Sequence, residues 1–491
     1  MLGIELVTRH AKQHRILAGI GANLTSEVAR AALLPAIAIV AARYLGADRY
    51  GIFATGQALT AFGATFAGFG LLHAVLLLGS RREEPLSSFL TNSLVGALVT
   101  AAVAYGGLAA WLWAFGYSPT VKAVVLIMGT ALFPMALNAQ LTAALQVQGR
   151  YTLIAVGGVV AAAVNVAYAL AVVVAGLGLN GLAVAPVVAS WALVAVLVVS
   201  LRGELRLQVR VRQVQQLFRT GFLFGLGDFL YFIYFSIDLV LLSILTGARQ
   251  VGLYNVPVRM LVVAYLLPMV VFNRVLYPRY FEWSRTDPDR LRQTYVLTSK
   301  GMLFIGLLAA AVLALAADPL VPAIFGGSFR DSAILLRILA LALPLRYLSG
   351  SASAVLATTD KIATRVRIQA ATAVLNVALC FAMIPALEAG GAAISTVITE
   401  AFLAVAQIAI VRAQVVNADL LKEMRAWLFV VPGAALLAAG IGHQPQWAIT
   451  LSALVAIGSL AVIAGPLKYF GAISLPLPTR PPAESEPASL V

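Results

Sequence analysis

Apolar residues fill the chain in blocks of roughly twenty, separated by short clusters of charge, glycine and proline. A helix rising about 1.5 Å per residue crosses the hydrocarbon of a bilayer in that length. The blocks are rich in Ala, Leu and Val, and they lack the period-two alternation of barrel strands. The pattern predicts an all-α polytopic membrane protein with about fourteen spans. They fall at 17–42, 50–78, 88–115, 122–146, 151–175, 180–201, 218–245, 251–277, 293–317, 331–357, 363–385, 388–411, 426–441 and 446–466. The thirteenth is the shortest, and twelve spans is the alternative if the last pair is misread.

Composition agrees with lipid as the main solvent. The chain has 491 residues, of which 61% are hydrophobic and 11% charged. Soluble domains carry about 25% charged residues, so a soluble enzyme or nucleic-acid binder is disfavoured. The net charge of +14 would suggest a nucleic-acid partner if the cations formed one face. Instead they cluster between apolar blocks. With the N-terminus placed inside, 25 of the 34 basic residues fall in inner loops and tails and five in outer loops. That asymmetry predicts cytoplasmic N- and C-termini. Arg9, Lys12 and Arg15 precede the first apolar block, which lacks a small-residue cleavage site, so a retained first helix is expected rather than a signal peptide. The single cysteine, Cys380, excludes an intrachain disulfide.

The basic segment 202–219 divides two similar stretches. It reads as a short amphipathic surface helix or as a plain basic loop. Residues 46–53, Gly-Ala-Asp-Arg-Tyr-Gly-Ile-Phe, echo residues 247–254, Gly-Ala-Arg-Gln-Val-Gly-Leu-Tyr, at an offset of 201. Weaker echoes follow at 148–150 with 359–361, and at 179–183 with 388–393. A repeat of the same in/out sense predicts two six-helix lobes, 1–201 and 220–412, around a central cavity. Helices 13 and 14 (413–470) are then an appendage, and 471–491, rich in Pro, Ser and Glu, a disordered cytoplasmic tail. Two facing lobes favour a transporter working by alternating access.

Several short segments carry a resemblance. They are Arg43-Tyr44-Leu45-Gly46-Ala47-Asp48-Arg49-Tyr50-Gly51-Ile52-Phe53, Arg219-Thr220-Gly221 leading to Asp238, Val251-Gly252-Leu253-Tyr254-Asn255-Val256, Tyr277-Pro278-Arg279 and Ile324-Phe325-Gly326-Gly327-Ser328-Phe329. In order and position they resemble the multidrug/oligosaccharidyl-lipid/polysaccharide exporter superfamily, and within it the bacterial polysaccharide biosynthesis flippases that move repeat units of O-antigen (lipopolysaccharide) and exopolysaccharide. The resemblance covers about residues 15–412. It implies two six-helix lobes in a V and a multi-pass location in the bacterial inner membrane. The implied cargo is an undecaprenyl-pyrophosphate-linked oligosaccharide carried from the cytoplasmic to the outer leaflet. A flippase for lipid-linked peptidoglycan precursor, or a drug/cation antiporter of the same superfamily, is the alternative. Expected partners are this lipid-linked glycan, membrane lipid and polysaccharide polymerase or assembly proteins around a monomeric transport unit, with no nucleic acid.

A charge inside a span is costly and normally faces a cavity or a partner. Glu27 and Arg30 share a face of the first span, either as a self-neutralising pair or as a cavity wall for pyrophosphate. Arg259 and Arg346 are further candidates for binding the anionic head. Asp228, Asp238 and Glu400 are candidates for coupling to H⁺ or Na⁺, with structural pairing or helix packing as the other reading. One such carboxylate of the seventh span is also a candidate partner for Arg259. The aromatic run Phe229, Tyr231, Phe232, Tyr234 and Phe235 fits a lipid-facing or core role, or stacking on sugars. No phosphate-binding loop, zinc-protease motif or serine-hydrolase elbow is present, so no enzymatic activity, metal or cofactor is expected.

Overall fold

The structure is a computed structural model. It describes residues 36–81, 86–203, 209–271, 276–359, 361–416 and Leu420. The described chain is helical nearly throughout. In order it comprises α1 (36–64), α2 (Leu71–Arg81), α3 (Leu86–Ala114), α4 (Pro119–Gly129), α5 (Leu132–Val147), α6 (Tyr151–Val174) and α7 (Gly178–Leu201) in the N-terminal half. The C-terminal half comprises α8 (Val211–Leu245), α9 (Ala248–Val271), α10 (Tyr277–Thr286), α11 (Pro288–Phe325), α12 (Ser332–Ala340), α13 (Ala342–Thr358) and α14 (Ile362–Gln414).

Local chemistry sets the element ends. Ser118 caps α4 by accepting from Val121 N at 3.4 Å, with Pro119 in the first turn where its missing N–H costs nothing. Asp287 accepts from Arg290 N at 3.0 Å and Pro288 opens α11, which stops at Gly326 with φ 101°. Segment 211–219, half of the expected basic linker, forms the first turns of α8, where Leu217 is buried and Gln213 accepts from Asn92 Nδ2 at 2.7 Å.

The expectation of fourteen spans in two six-helix lobes is corrected. Among the described residues, eight helices are long and apolar enough to cross a membrane, four in each half. Expected spans 426–441 and 446–466, and most of 17–42, lie outside the described residues. The expected span 50–78 is broken at 65–70, where Gly68 and Gly70 take φ of 79° and 67°. Hydropathy counts apolar residues and does not register that two glycines in the left-handed region end a helix. Spans 363–385 and 388–411 fall within α14, which is kinked at Glu388 (φ 49°). There the chain doubles back. A Cβ on Gly391 would stand 2.3 Å from the Met383 carbonyl oxygen, whereas eight residues of straight helix would separate them by about 12 Å.

A continuous apolar core joins the two halves, running from Ala41 and Tyr50 to Tyr254, Phe329 and Leu356. α8 is central to it, packing on α2 and α3 of the N-terminal half and on α14 of its own.

Candidate functional site

The halves meet at two glycine crossings. At the first, α1 crosses α9. A Cβ on Gly51 would lie 1.7 Å from the Ala248 carbonyl oxygen, and one on Gly252 would lie 2.5 Å from that of Ala47. At the second, a Cβ on Gly70 would lie 2.0 Å from the Gly221 oxygen, and one on Gly221 would lie 2.5 Å from that of Gly70. Only hydrogen fits at these four positions. Around the first crossing, Arg249 reaches Asp48 at 3.7 Å and Asp331 at 3.3 Å. Arg43 donates to the Ile324 carbonyl at 2.7 Å, at the end of α11. Near the second, His73 Nδ1 lies 3.6 Å from Asp228 and its ring stacks on Phe224.

Between the crossings α1 and α9 share a polar contact. Asn255 Oδ1 accepts from Tyr50 Oη at 2.8 Å and from Arg259 Nε at 3.2 Å. Arg259 Nη2 donates to Gln57 Oε1 at 2.7 Å. Both partners of the guanidinium are neutral, and no described carboxylate pairs with it. A half-buried guanidinium held in this way has a fork of donors that can also meet an anion.

A second group surrounds a cavity of about 40 Å³ bounded by α8, α9, α12, α13 and α14, room for a water or a small ion. Arg346 Nη2 stands 2.7 Å from Glu400 Oε1 and donates to Tyr234 Oη at 2.8 Å. Tyr234 donates in turn to the same carboxylate oxygen at 2.6 Å. The Arg346 guanidinium lies over the rings of Tyr265 (4.5 Å) and Phe235 (4.6 Å). Glu400 is buried, and its Oε2 has no hydrogen-bond partner. Deeper in the wall, Asp238 accepts from Leu239 N at 2.9 Å, from Tyr254 Oη and from Thr396 Oγ1 at 3.4 Å. Among the described residues no three His, Cys, Asp or Glu side chains are grouped to hold a metal.

The predicted residues therefore separate. Asp238, Arg346 and Glu400 share one cavity, and Arg259 sits at the contact between halves. Asp228 is exposed, beside His73 and away from Asp238. Neither Asp228 nor Asp238 holds Arg259. Glu27 and Arg30 lie outside the described residues. Sequence reasoning did not single out Gln57, Asn255, Tyr254 and Thr396 as site residues, and it read Tyr234 only as one of an aromatic run, not as the partner of Arg346 and Glu400. The available signal was weak, since each is one of several uncharged polar side chains in its apolar block.

Comparison with known proteins adds two findings. A family described as "Polysaccharide biosynthesis protein" matches residues 40–334. No curated protein sequence matches. Among solved structures, the chain is similar to the lipid II flippase MurJ in an inward closed conformation, with TM-score 0.72 and 13% identity over 92% of this chain and 99% of that one. It is also similar to an inward-facing MATE-family multidrug resistance transporter of the MOP superfamily, with TM-score 0.61 and 16% identity over 79% and 94%. A MOP-superfamily transporter from Pyrococcus furiosus gives TM-score 0.51 and 15% identity over 81% and 93%. At these identities the likeness is one of fold.

Proposed function

The chain belongs to the polysaccharide biosynthesis protein family, and from that footing we propose that it is an alternating-access transporter of a polyprenyl-diphosphate-linked saccharide rather than an enzyme. The observation that carries this reading is Arg259. Its guanidinium bridges the two halves through the neutral Gln57 and Asn255, and among the described residues no carboxylate compensates it where the halves must separate. Keeping such a charge within a membrane-spanning bundle is expensive, and a diphosphate head would offset that expense.

Two cargoes share this chemistry. The family description points to a polysaccharide repeat unit, whereas the likeness in fold over nearly the whole chain to a lipid II flippase favours a peptidoglycan-type precursor. We favour the second. Both are presented in one experiment: purified protein in liposomes, each lipid-linked saccharide in one leaflet, and appearance in the other leaflet measured. Transport of the precursor and not of the repeat unit supports the favoured cargo, the reverse selects the repeat unit, and transport of neither overturns the reading.

The cavity around Glu400 supports a coupling role. Arg346 is already neutralised by Glu400, so its charge is not available to the cargo as that of Arg259 is. The free Glu400 Oε2 and the Asp238 carboxylate can take up a proton or Na⁺ and alter the packing of α8 on α14. The same acidic wall favours a second reading, exchange of an organic cation. Displacement of that cation by Na⁺ or H⁺ in liposomes, with no movement of lipid-linked saccharide, would select it. The site of action is proposed to be the inner membrane of a bacterium.

A further inference from the structure

The two glycine crossings carry ionisable pairs of different kinds. At the first the basic partner is Arg249, and a guanidinium keeps its proton throughout the physiological range. At the second the basic partner is His73, and an imidazole ordinarily changes charge between about pH 5 and 8. The second pair is built into the crossing itself. A Cβ on Gly70 would stand 2.0 Å from the Gly221 carbonyl oxygen and 2.9 Å from Gly225 N. His73 lies three residues beyond Gly70 and Asp228 three beyond Gly225, so each is about one helical turn from the contact. His73 Nδ1 faces Asp228 Oδ2 at 3.6 Å, from one half to the other. That separation is too long for a hydrogen bond, and Nδ1 is buried without a partner. The imidazole lies flat on the Phe224 ring, with centroids 5.1 Å apart and planes within 7°. A ring face at that distance also favours a cation.

Asp228 is the middle residue of α8, a helix long and apolar enough to span a membrane. A carboxylate there is costly unless it meets water or a cation. Among the described residues, the one basic side chain within 4 Å of it is His73. The two side chains are 36% and 59% exposed, so a proton from water can reach them. Their described neighbours bring no competing charge. α3 and α5, which pack on α2 together with α8, hold no charged residue, and Tyr105 of α3 donates to the Leu126 carbonyl. The charges of α1, Arg43, Asp48 and Arg49, lie toward the first crossing. Arg81 ends α2 two turns beyond His73. On α8, Arg219 lies nine residues, about 13 Å of helix, before Asp228. The later titratable groups of α8, Tyr231, Tyr234 and Asp238, meet Phe235, Glu400 and Tyr254 instead.

We propose that His73 and Asp228 form a proton-binding site that locks the second crossing, an inference that rests on the transport reading above, in which the halves part. The proton comes from water and adds to the imidazole, and no other bond changes. The charged ring then pairs with the carboxylate of the other half. The closed crossing holds the proton more tightly than the parted one, so by reciprocity the proton favours closure. Closure strengthens as the pH falls through the imidazole range and weakens as it rises. The first crossing, pinned by an arginine, does not respond in that range.

The test uses the full chain in nanodiscs, carrying Cys380→Ser, Ser80→Cys and Gln216→Cys. Spin labels on the two new cysteines, exposed on α2 and α8, report the distance across the second crossing. Double electron–electron resonance is recorded at about pH 8 and about pH 6. The short-distance population should gain about fivefold over the long one at the lower pH. His73→Gln and Asp228→Asn should each abolish the gain, Glu400→Gln should keep it, and His73→Arg should hold the short distance at both pH values. A response left intact in His73→Gln and Asp228→Asn would overturn the inference, and its loss in Glu400→Gln instead would move the proton to the α8–α14 cavity. A distance indifferent to pH would also overturn it, while transport of the lipid-linked saccharide by the same protein left the function standing. One unchanging distance together with no saccharide transport would overturn both.

Discussion

Gly51 and Gly252, 201 residues apart in two segments of similar sequence, touch backbone to backbone. The contact between halves thus sets two segments of similar sequence face to face. A side chain at either position has nowhere to go without parting α1 from α9. Gly51→Ala is predicted to cost about 1–3 kcal/mol in this closed arrangement through overpacking. It should lower the thermal midpoint and slow transport. In a Cys380→Ser background, a cysteine at Ala47 should become several-fold more reactive to a water-soluble maleimide when Gly51→Ala is added.

Arg249, set between Asp48 and Asp331 at the same crossing, is predicted to matter little to stability. All three side chains are about half or more exposed, and such pairs contribute at most about 1 kcal/mol and weaken with salt. Arg249→Ala should leave the thermal midpoint within a few degrees of wild type. Whatever change it makes in transport should shrink when the comparison is repeated at high salt.

Arg346 and Glu400 are predicted to behave in the opposite way. Both are largely buried, and removing one partner leaves a charge without compensation, which costs about 3–5 kcal/mol. Arg346→Met and Glu400→Gln should each depress thermal stability strongly. The double variant should recover much of the loss. If the double variant is no more stable than the single ones, the two residues are not acting as a pair.

Coupling through the α8–α14 cavity predicts a cation-dependent stability. The thermal midpoint of Arg346→Met, in which Glu400 has lost its cationic partner, should rise with Na⁺, and adding Glu400→Gln should abolish that rise. A midpoint that responds equally in both proteins would remove Glu400 from the coupling role.

The likeness of the segments around Gly51 and Gly252 was legible in the sequence, and the structure places these two glycines against each other. Arg259 was legible because a cation in an apolar block has few structural uses. Its partners were not, since Gln57 lies 202 residues away and carries no charge. The Arg346–Glu400 pair joins residues 54 apart on different helices, and nothing local links them. Asp228 and Asp238 looked alike in sequence. Ten residues of helix set them about 15 Å apart and at different interfaces. The breaks at Gly68 and Gly70 and the reversal at Glu388 were hidden for a related reason. They depend on backbone geometry and close contact, which an apolar count does not contain.

The most direct measurement is movement of a polyprenyl-diphosphate-linked saccharide across liposomes containing wild-type protein, Arg259→Ala or Arg259→Lys. A hydrogen bond to a charged group contributes about 1.5–3 kcal/mol, equivalent to roughly tenfold or more in rate. The account predicts transport by wild type, about tenfold or greater loss in Arg259→Ala, partial retention in Arg259→Lys, and similar thermal midpoints for all three. Equal transport by wild type and Arg259→Ala would contradict it.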